Sequence, residues 1–559
     1  MKKYFSQSGF TPIQIILSIF AGTIVLGGIV GGVLYYSKSP QKLTEQNTQQ
    51  QQQGKCGDGI CQDVEKARGV CGDCKISQEQ KTDTGGGTAE EPRQTEEKPT
   101  QSQQPAQQQV TTQTRPVSQT TKGDNSLDAD GFLWGTEATG ESSATTNAIK
   151  NTLQTKYVKF RIFADSCSAD LKTFSASCAN PRLSNPKQNF NLDDTVDYYS
   201  QNSWSMVPML SYSSDDRNSS IKNSDNVDSY VDFVYWFVKT YHKKANIKYL
   251  ELMNVPNINK TLLLEAQNKV YDKIKGEFPD ILIGTPGFEY WDDPINTENM
   301  IDEIEYFLDK NNGAKFDFWA FHGYASASVN MQKKEVVVFS PTMKPTSNKY
   351  SNVYGALEIK KALVANGWTD RPVIDLEHSM IIKPGETITS DNDKLAATYA
   401  TQELLLKKTL TYNGKSALAG AMIFKVAERK SLGEFAYGAL NPDGSLTKTI
   451  QAVGLLWSKL NVYNYNSKIS GDFGKDDIWV EKFTSGADKE LYIFFKPFEY
   501  KSGQSLAFDN KTINYTLNLS KTPKSVTLTD IDGKTSSVSA SKSIALQATN
   551  SLKYLEISY

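Results

Sequence analysis

The fold class this sequence predicts is a (β/α)8 barrel followed by an antiparallel β-sandwich, and three observations predict it. Between residues 127 and 460, eight short apolar runs alternate with eight amphipathic stretches, the pattern of strands covered by helices. No Gly-rich phosphate turn follows an early run, which argues against a doubly wound open sheet. After Leu460 the helical period stops, and residues 461–559 alternate apolar with polar side chains in Lys489-Glu490-Leu491-Tyr492-Ile493-Phe494-Phe495, Ser525-Val526-Thr527-Leu528 and Lys553-Tyr554-Leu555-Glu556-Ile557, with Asp532-Gly533 as a hairpin signal.

Taken in chain order, residues 1–36 read as a membrane anchor. The 27 residues from Phe10 to Tyr36 carry no charge and as a helix span roughly 40 Å, more than the hydrocarbon of a bilayer. Lys2 and Lys3 precede them, so the positive-inside bias places the N-terminus in the cytoplasm and the C-terminal region outside the cell. A cleaved secretory signal is disfavoured because the apolar run is long and no A-x-A site follows. Lys2-Lys3 and Gly9-Phe10-Thr11-Pro12-Ile13-Gln14 before an apolar helix resemble the start of a type IV prepilin, in which a peptidase cuts after the glycine. Pro12 and Gln14 stand where that family carries leucine and glutamate, and a plain single-pass anchor is the other reading.

Residues 37–126 read as a solvated, disordered linker. No Phe, Tyr or Trp occurs from Ser37 to Asn125, so the segment cannot bury enough apolar surface to offset chain entropy. Within it, at 56–74, Cys56-Gly57-Asp58-Gly59-Ile60-Cys61 and Cys71-Gly72-Asp73-Cys74 resemble the short C-G-D-G-x-C modules of bacterial and archaeal surface proteins. Outside the cell, Cys56, Cys61, Cys71 and Cys74 are expected to pair as two disulfides of unassigned connectivity. The spacing matches common zinc patterns poorly, and the nearby Asp58, Asp63, Glu65 and Asp73 read as solvated turn carboxylates rather than a calcium site.

In the region 127–460, strands are expected to begin at Phe132, Tyr157, Met206, Lys248, Ile281, Phe316, Val373 and Ala421. Helices are expected around 144–154, 193–202, 227–242, 260–278, 297–311, 351–366, 391–411 and 447–460. Val227, Tyr230, Val231, Val234, Phe237, Val238 and Tyr241 recur at helical spacing, and Asp391 or Asp393 can cap the helix that runs through Leu404.

In such a barrel the chemistry lies at the C-terminal ends of the strands. Strand 4 ends Leu250-Glu251-Leu252-Met253-Asn254-Val255-Pro256-Asn257, strand 6 ends Phe321-His322-Gly323-Tyr324, and strand 7 ends Ile374-Asp375-Leu376-Glu377-His378. Together these motifs resemble clan A glycoside hydrolases, retaining enzymes on a (β/α)8 barrel, often with an appended β-sandwich. The resemblance implies Glu377 as nucleophile. It aligns Asn254 with the asparagine before the acid/base glutamate of a W-E-x-x-N-E-P run, but Val255 occupies the acid/base position. Valine has no proton to give, and a retaining mechanism needs one.

Strand alternation puts Glu251, Met253 and Val255 on one face, and Val373, Asp375 and Glu377 on another single face. If Glu377 faces the barrel axis, Asp375 lies about 7 Å deeper on that face, and Asp375 and Glu251 read as buried structural carboxylates. Glu289, in the loop after strand 5, is the best stand-in acid; Glu137 after strand 1 is a weaker one. His322 and Tyr324 are candidates to bond sugar hydroxyls or the nucleophile, Arg161 to steady Glu377 electrostatically, and Trp291 or Trp134 to stack on sugar faces. His322 and His378 with Glu377 suggest a metal site, but no H-x-H or H-E-x-x-H spacing supports one, and no metal or cofactor is expected. Cys167 and Cys178, with ten residues between them in the loop after strand 2, are expected to form a disulfide.

With 61 Lys and Arg against 63 Asp and Glu and no long basic run, the net charge of −2 gives no reason to expect a nucleic-acid partner. The expected function is that of a cell-surface glycoside hydrolase-like protein, a single-pass membrane protein that binds and at most weakly hydrolyses a polysaccharide or glycoconjugate. The alternatives are an active glycosidase with an unrecognised acid and a structural or pilus-associated surface protein.

Overall fold

A computed structural model describes residues 131–559 apart from 139–141, 180–188, 214–220, 255–257, 290–296, 325, 331–334, 339, 346–347, 379–388, 427–439, 442, 500–505 and 510. The anchor at 1–36, the linker at 37–126 with its four cysteines, Val255 and Trp291 therefore lie outside the described residues. Among the described residues no helix is long and apolar enough to cross a membrane.

Eight strands close into a barrel: β1 (Leu133–Ala138), β2 (Tyr157–Phe163), β3 (Ser205–Ser211), β4 (Tyr249–Asn254), β5 (Leu282–Glu289), β6 (Trp319–His322), β7 (Val373–His378) and β8 (Gly420–Val426). Each pairs in parallel with its neighbours in sequence, and β8 closes on β1. The intervening helices are α1 (Ser143–Asn147, continued by a π turn over Ala148–Leu153), α2 (Leu192–Gln201), α3 (Ser224–Tyr241), α4 (Lys260–Glu277), α5 (Thr297–Leu308), α6 (Asn352–Ala365), α7 (Ser390–Thr409) and α8 (Lys448–Leu460). Asn223 starts α3 by accepting from the Asn226 amide at 3.0 Å, and Val227, Tyr230, Val234, Phe237, Val238 and Tyr241 form its buried stripe. Thr389, rather than Asp391 or Asp393, caps α7, and both aspartates lie in its first turn, where the helix dipole favours anions. Strand β6 begins three residues later than expected because the Asp317 carboxylate accepts from the Ile283 amide at 2.9 Å and pairs with Lys275, so a side chain takes a partner that strand pairing would otherwise use.

The lower barrel interior is apolar, filled by Leu133, Tyr157, Val207, Tyr249, Phe318, Ala320, Ile374, Leu376 and Met422. This arrangement corrects the alternation expected of strands 4 and 7. On β7 it is Ile374 and Leu376 that face the interior. Asp375 points outward to Lys407 on α7, and a register shift between Asp375 and His378 brings Glu377 back to the mouth. On β4 Glu251 faces the interior, but Met253 has φ +50° and packs in the outer core with Leu252; a left-handed residue ends the two-residue period that the expectation carried on to Val255. Trp134 also packs outward, against Trp457 and Phe132.

Cys167 and Cys178 are joined by a disulfide. C-terminally, β9 (Asn464–Ser470), β10 (Trp479–Ser485), β11 (Lys489–Phe495), β12 (Ile513–Asn518), β13 (Ser525–Asp530), β14 (Thr535–Val538), β15 (Ser543–Ala548) and β16 (Lys553–Ser558) form antiparallel sheets. The six-stranded sheet runs β9-β10-β11-β16-β13-β14, and β12 pairs with β15. Alternation gives the larger sheet two apolar faces. Val480, Tyr492, Phe494, Leu555 and Ile557 meet Leu517, Ile544 and Leu546 of the smaller sheet, whereas Trp479, Phe483, Leu491, Ile493, Phe495 and Tyr554 join the outer core of the barrel. Covered in this way, α7 is buried on every side from Ala396 to Lys407.

Glu481 lies in this seam, 1% exposed, accepting from Trp479 Nε1 at 2.5 Å and Thr409 Oγ1 at 3.2 Å. Burial pushes its carboxyl up to about 7 despite those bonds. A carboxyl raised in this way adds stability below its unfolded value near 4.5, and that contribution is lost as pH rises through about 7. Glu481→Gln should therefore gain on wild type in melting temperature between about pH 5 and about pH 8; a difference independent of pH would contradict the assignment.

Candidate functional site

Above the apolar layer, the barrel interior becomes charged. Alternation along Tyr157-Val158-Lys159-Phe160-Arg161 sends Tyr157, Lys159 and Arg161 to the axis, while Val158 and Phe160 join the outer core. Lys159 Nζ lies 2.7 Å from Glu251 Oε2 and 3.2 Å from Glu377 Oε2. His322 Nε2 lies 2.5 Å from Glu251 Oε1, and its Nδ1 lies 3.8 Å from Glu377 Oε2. Gly287 on β5 makes room for this layer: a Cβ there would stand 2.2 Å from Glu251 Oε1 and 2.6 Å from the His322 ring.

The next layer up is built on Glu377. Arg161 Nη2 donates to its Oε2 in a short ion pair, and Tyr324 Oη donates to its Oε1 at 2.6 Å. Arg161 is itself held by Glu137, with Nε at 2.8 Å and 2.9 Å from the two carboxylate oxygens, and by the Phe424 ring, 4.7 Å below the guanidinium. Burial would raise the Glu377 carboxyl, but Arg161 and Lys159 outweigh it and hold the group well below the usual carboxylate range. Burial likewise opposes charge on Lys159, and Glu251 with Glu377 overcome it, raising the ammonium. Glu251 is lowered against burial by Lys159 and His322.

The arrangement presents an ionised carboxylate, 6% exposed, at the C-terminal ends of the strands, with donors on both oxygens. Arg161 and Lys159 bridge the space between Glu137, Glu251 and Glu377, and among the described residues no group of three or more His, Cys, Asp or Glu is placed to hold a metal ion. His322 is fully buried beneath Glu377, and Asn254 is 7% exposed, with its backbone N–H donating to Ser211 Oγ at 2.9 Å. Glu289 is the last residue of β5, paired in register with His322. Val255 and Trp291 lie outside the described residues.

Two residues at the site escaped the sequence reading. Lys159 carries a signal, a lysine at the inward position between Tyr157 and Arg161. Lys407 carries only its i,i+4 spacing to Glu403, which more often marks a solvated helix face.

No protein-family model matches the chain, and no curated protein matches it. Solved structures do. A family 39 glycoside hydrolase from the gut symbiont Bacteroides cellulosilyticus WH2 matches with a TM-score of 0.57 at 14% identity, over 76% of this chain and 80% of that one. A glucosidase from Croceicoccus marinus matches with a TM-score of 0.49 at 13% identity, over 78% and 98%. An arabinofuranosidase matches with a TM-score of 0.49 at 11% identity, over 76% and 96%. At the level of the first of these, the likeness shows the fold alone, a closed (β/α)8 barrel shared with that glycoside hydrolase.

The charged layer makes a stability prediction. Removing one partner of a buried pair costs about 3–5 kcal/mol because the other charge is stranded, whereas replacing both with apolar groups is often neutral. Lys159→Met should lower the urea unfolding free energy by about that amount, and Lys159→Met with Glu251→Met should recover most of it. Additive losses in the double variant would show that the two charges are not coupled.

Proposed function

We propose that this chain is a membrane-tethered surface protein whose barrel mouth binds a polysaccharide or glycoconjugate and hydrolyses it slowly through Glu377. The observation that carries this reading is the Glu377 carboxylate, held ionised by Arg161 and Lys159 and oriented by Tyr324 at the end of β7. The expense of the charged layer supports it: an apolar interior would serve a purely structural barrel at least as well. The uncharged run from Phe10 to Tyr36 after Lys2 and Lys3 supports the tether.

In this reading Glu377 attacks the anomeric carbon and forms a glycosyl ester as the bond to the leaving oxygen breaks. Arg161, Tyr324 and His322 orient the carboxylate, and Asn254 and Trp291 contact the sugar. The departing oxygen needs a proton. Val255 has none, and Glu137 and Glu251 are tied to Arg161 and Lys159. Glu289, in register with His322 at the end of β5, is the carboxyl this reading assigns as the stand-in.

Three measurements test the proposal. Aryl 2-fluoroglycosides, whose leaving groups need little protonation, should label the peptide containing Glu377 by mass spectrometry, and Glu377→Gln should abolish labelling. Val255→Glu should raise turnover of natural glycosides by roughly 10²–10⁴. Absence of both labelling and polysaccharide binding would favour a structural or pilus-associated protein, and hydrolysis that survives Glu377→Gln would move the chemistry to other residues.

A further inference from the structure

We propose that Asp375 and Lys407 are positioning residues through which the C-terminal sandwich fixes Glu377 at the barrel mouth. The inference rests on Glu377 being the working carboxylate, and it starts on the opposite side of β7 from the sugar. Asp375 Oδ1 accepts from two backbone amides, Glu377 at 3.2 Å and Gly323 at 3.2 Å. Gly323 lies between His322 and Tyr324, so one carboxylate oxygen ties the backbone carrying the nucleophile to the backbone carrying its two neighbours. A Cβ at Gly323 would stand 2.9 Å from Asp375 Oδ2, and this close approach lets the two strand ends share the acceptor.

Lys407, fully buried on α7, pairs with Asp375, with Glu403 Oε1 at 2.6 Å and with the Gly323 carbonyl at 3.3 Å. It therefore grips the same two strand ends from the helix side. The same helix is fixed by the sandwich: Gln402 Nε2 donates to the Asn550 carbonyl at 2.6 Å, and Thr398 bonds Ser551 at 3.1 Å. Asn550 is anchored in turn by its own bonds to the Lys496 and Pro497 carbonyls. Bonded contacts thus join the sandwich to Gln402, the helix α7 carries Gln402 and Lys407 together, and Lys407 bonds on to Asp375 and so to the Glu377 amide, without crossing the sugar-facing side. The seam has a second contact that avoids α7, Lys459 of α8 on Glu556 at 2.5 Å, and this supplies the control.

Amide hydrogen exchange in the full chain reads the coupling without any substrate. Lys407→Met and Gln402→Ala should each speed exchange at Gly323 and Glu377, Lys407→Met by about tenfold and Gln402→Ala by less, while Lys459→Ala leaves both amides unchanged. Lys407→Arg should restore much of the protection. If Lys407→Met does not fold, Gln402→Ala against Lys459→Ala decides. Equal effects of those two, or none from Gln402→Ala, would overturn the proposal. In chains that label with fluoroglycoside, Gln402→Ala should slow the labelling step and leave saturation unchanged. Exchange that responds in a chain that never labels would retain the brace and reject the hydrolase reading; labelling with unresponsive exchange would do the reverse.

Discussion

The contact between Glu377 Oε2 and the cations Arg161 and Lys159 constrains the upper half of the barrel. A carboxylate taken out of water costs several kcal/mol unless it is paired and hydrogen-bonded, and each cation recruited for that purpose needs an anion of its own. Arg161 therefore lies against Glu137, and Lys159 against Glu251. Three carboxylates, Glu137, Glu251 and Glu377, thus share the two cations of this column. Of the three, Glu377 is the one whose oxygens end at the mouth, where, in the function proposed above, positive charge developing on a sugar ring would be stabilised.

Packing supplies the room and the rigidity that these pairs require. Tyr157, Tyr249 and Phe318 close the barrel below, so water does not reach the ion pairs from that end. Gly287 leaves the volume that Glu251 and His322 occupy, and the Phe424 ring lies against the face of the guanidinium. On the outside, α7 lies between the barrel and the sandwich, so the appended sheet bears on the strand that carries Glu377 as well as on the stability of the chain.

Much of this was legible in the sequence. Eight strand-helix alternations are read from apolar periods, and the described strands and helices begin within a few residues of the expected positions. Arg161, Tyr324 and Glu377 were identifiable because each lies within two residues of the C-terminal end of a strand, and those ends meet at one rim. What failed was the extension of a two-residue period to the ends of β4 and β7. A left-handed Met253 and the register shift after Asp375 arise where the closed sheet gives way to loops, and side-chain alternation carries no mark of either. Lys407 was hidden for another reason: Glu403 and Lys407 at helical spacing look solvated until the sandwich is known to cover α7.

The charge state of Glu377 tests the account most directly. A carboxyl titration of the folded chain, with the Glu377 signal assigned as the one lost in Glu377→Gln, should find it still ionised well below its ordinary value of 4.5. Protonation at or above that value would mean that Arg161 and Lys159 do not govern this carboxylate, and the reading of the barrel mouth built on them would fall.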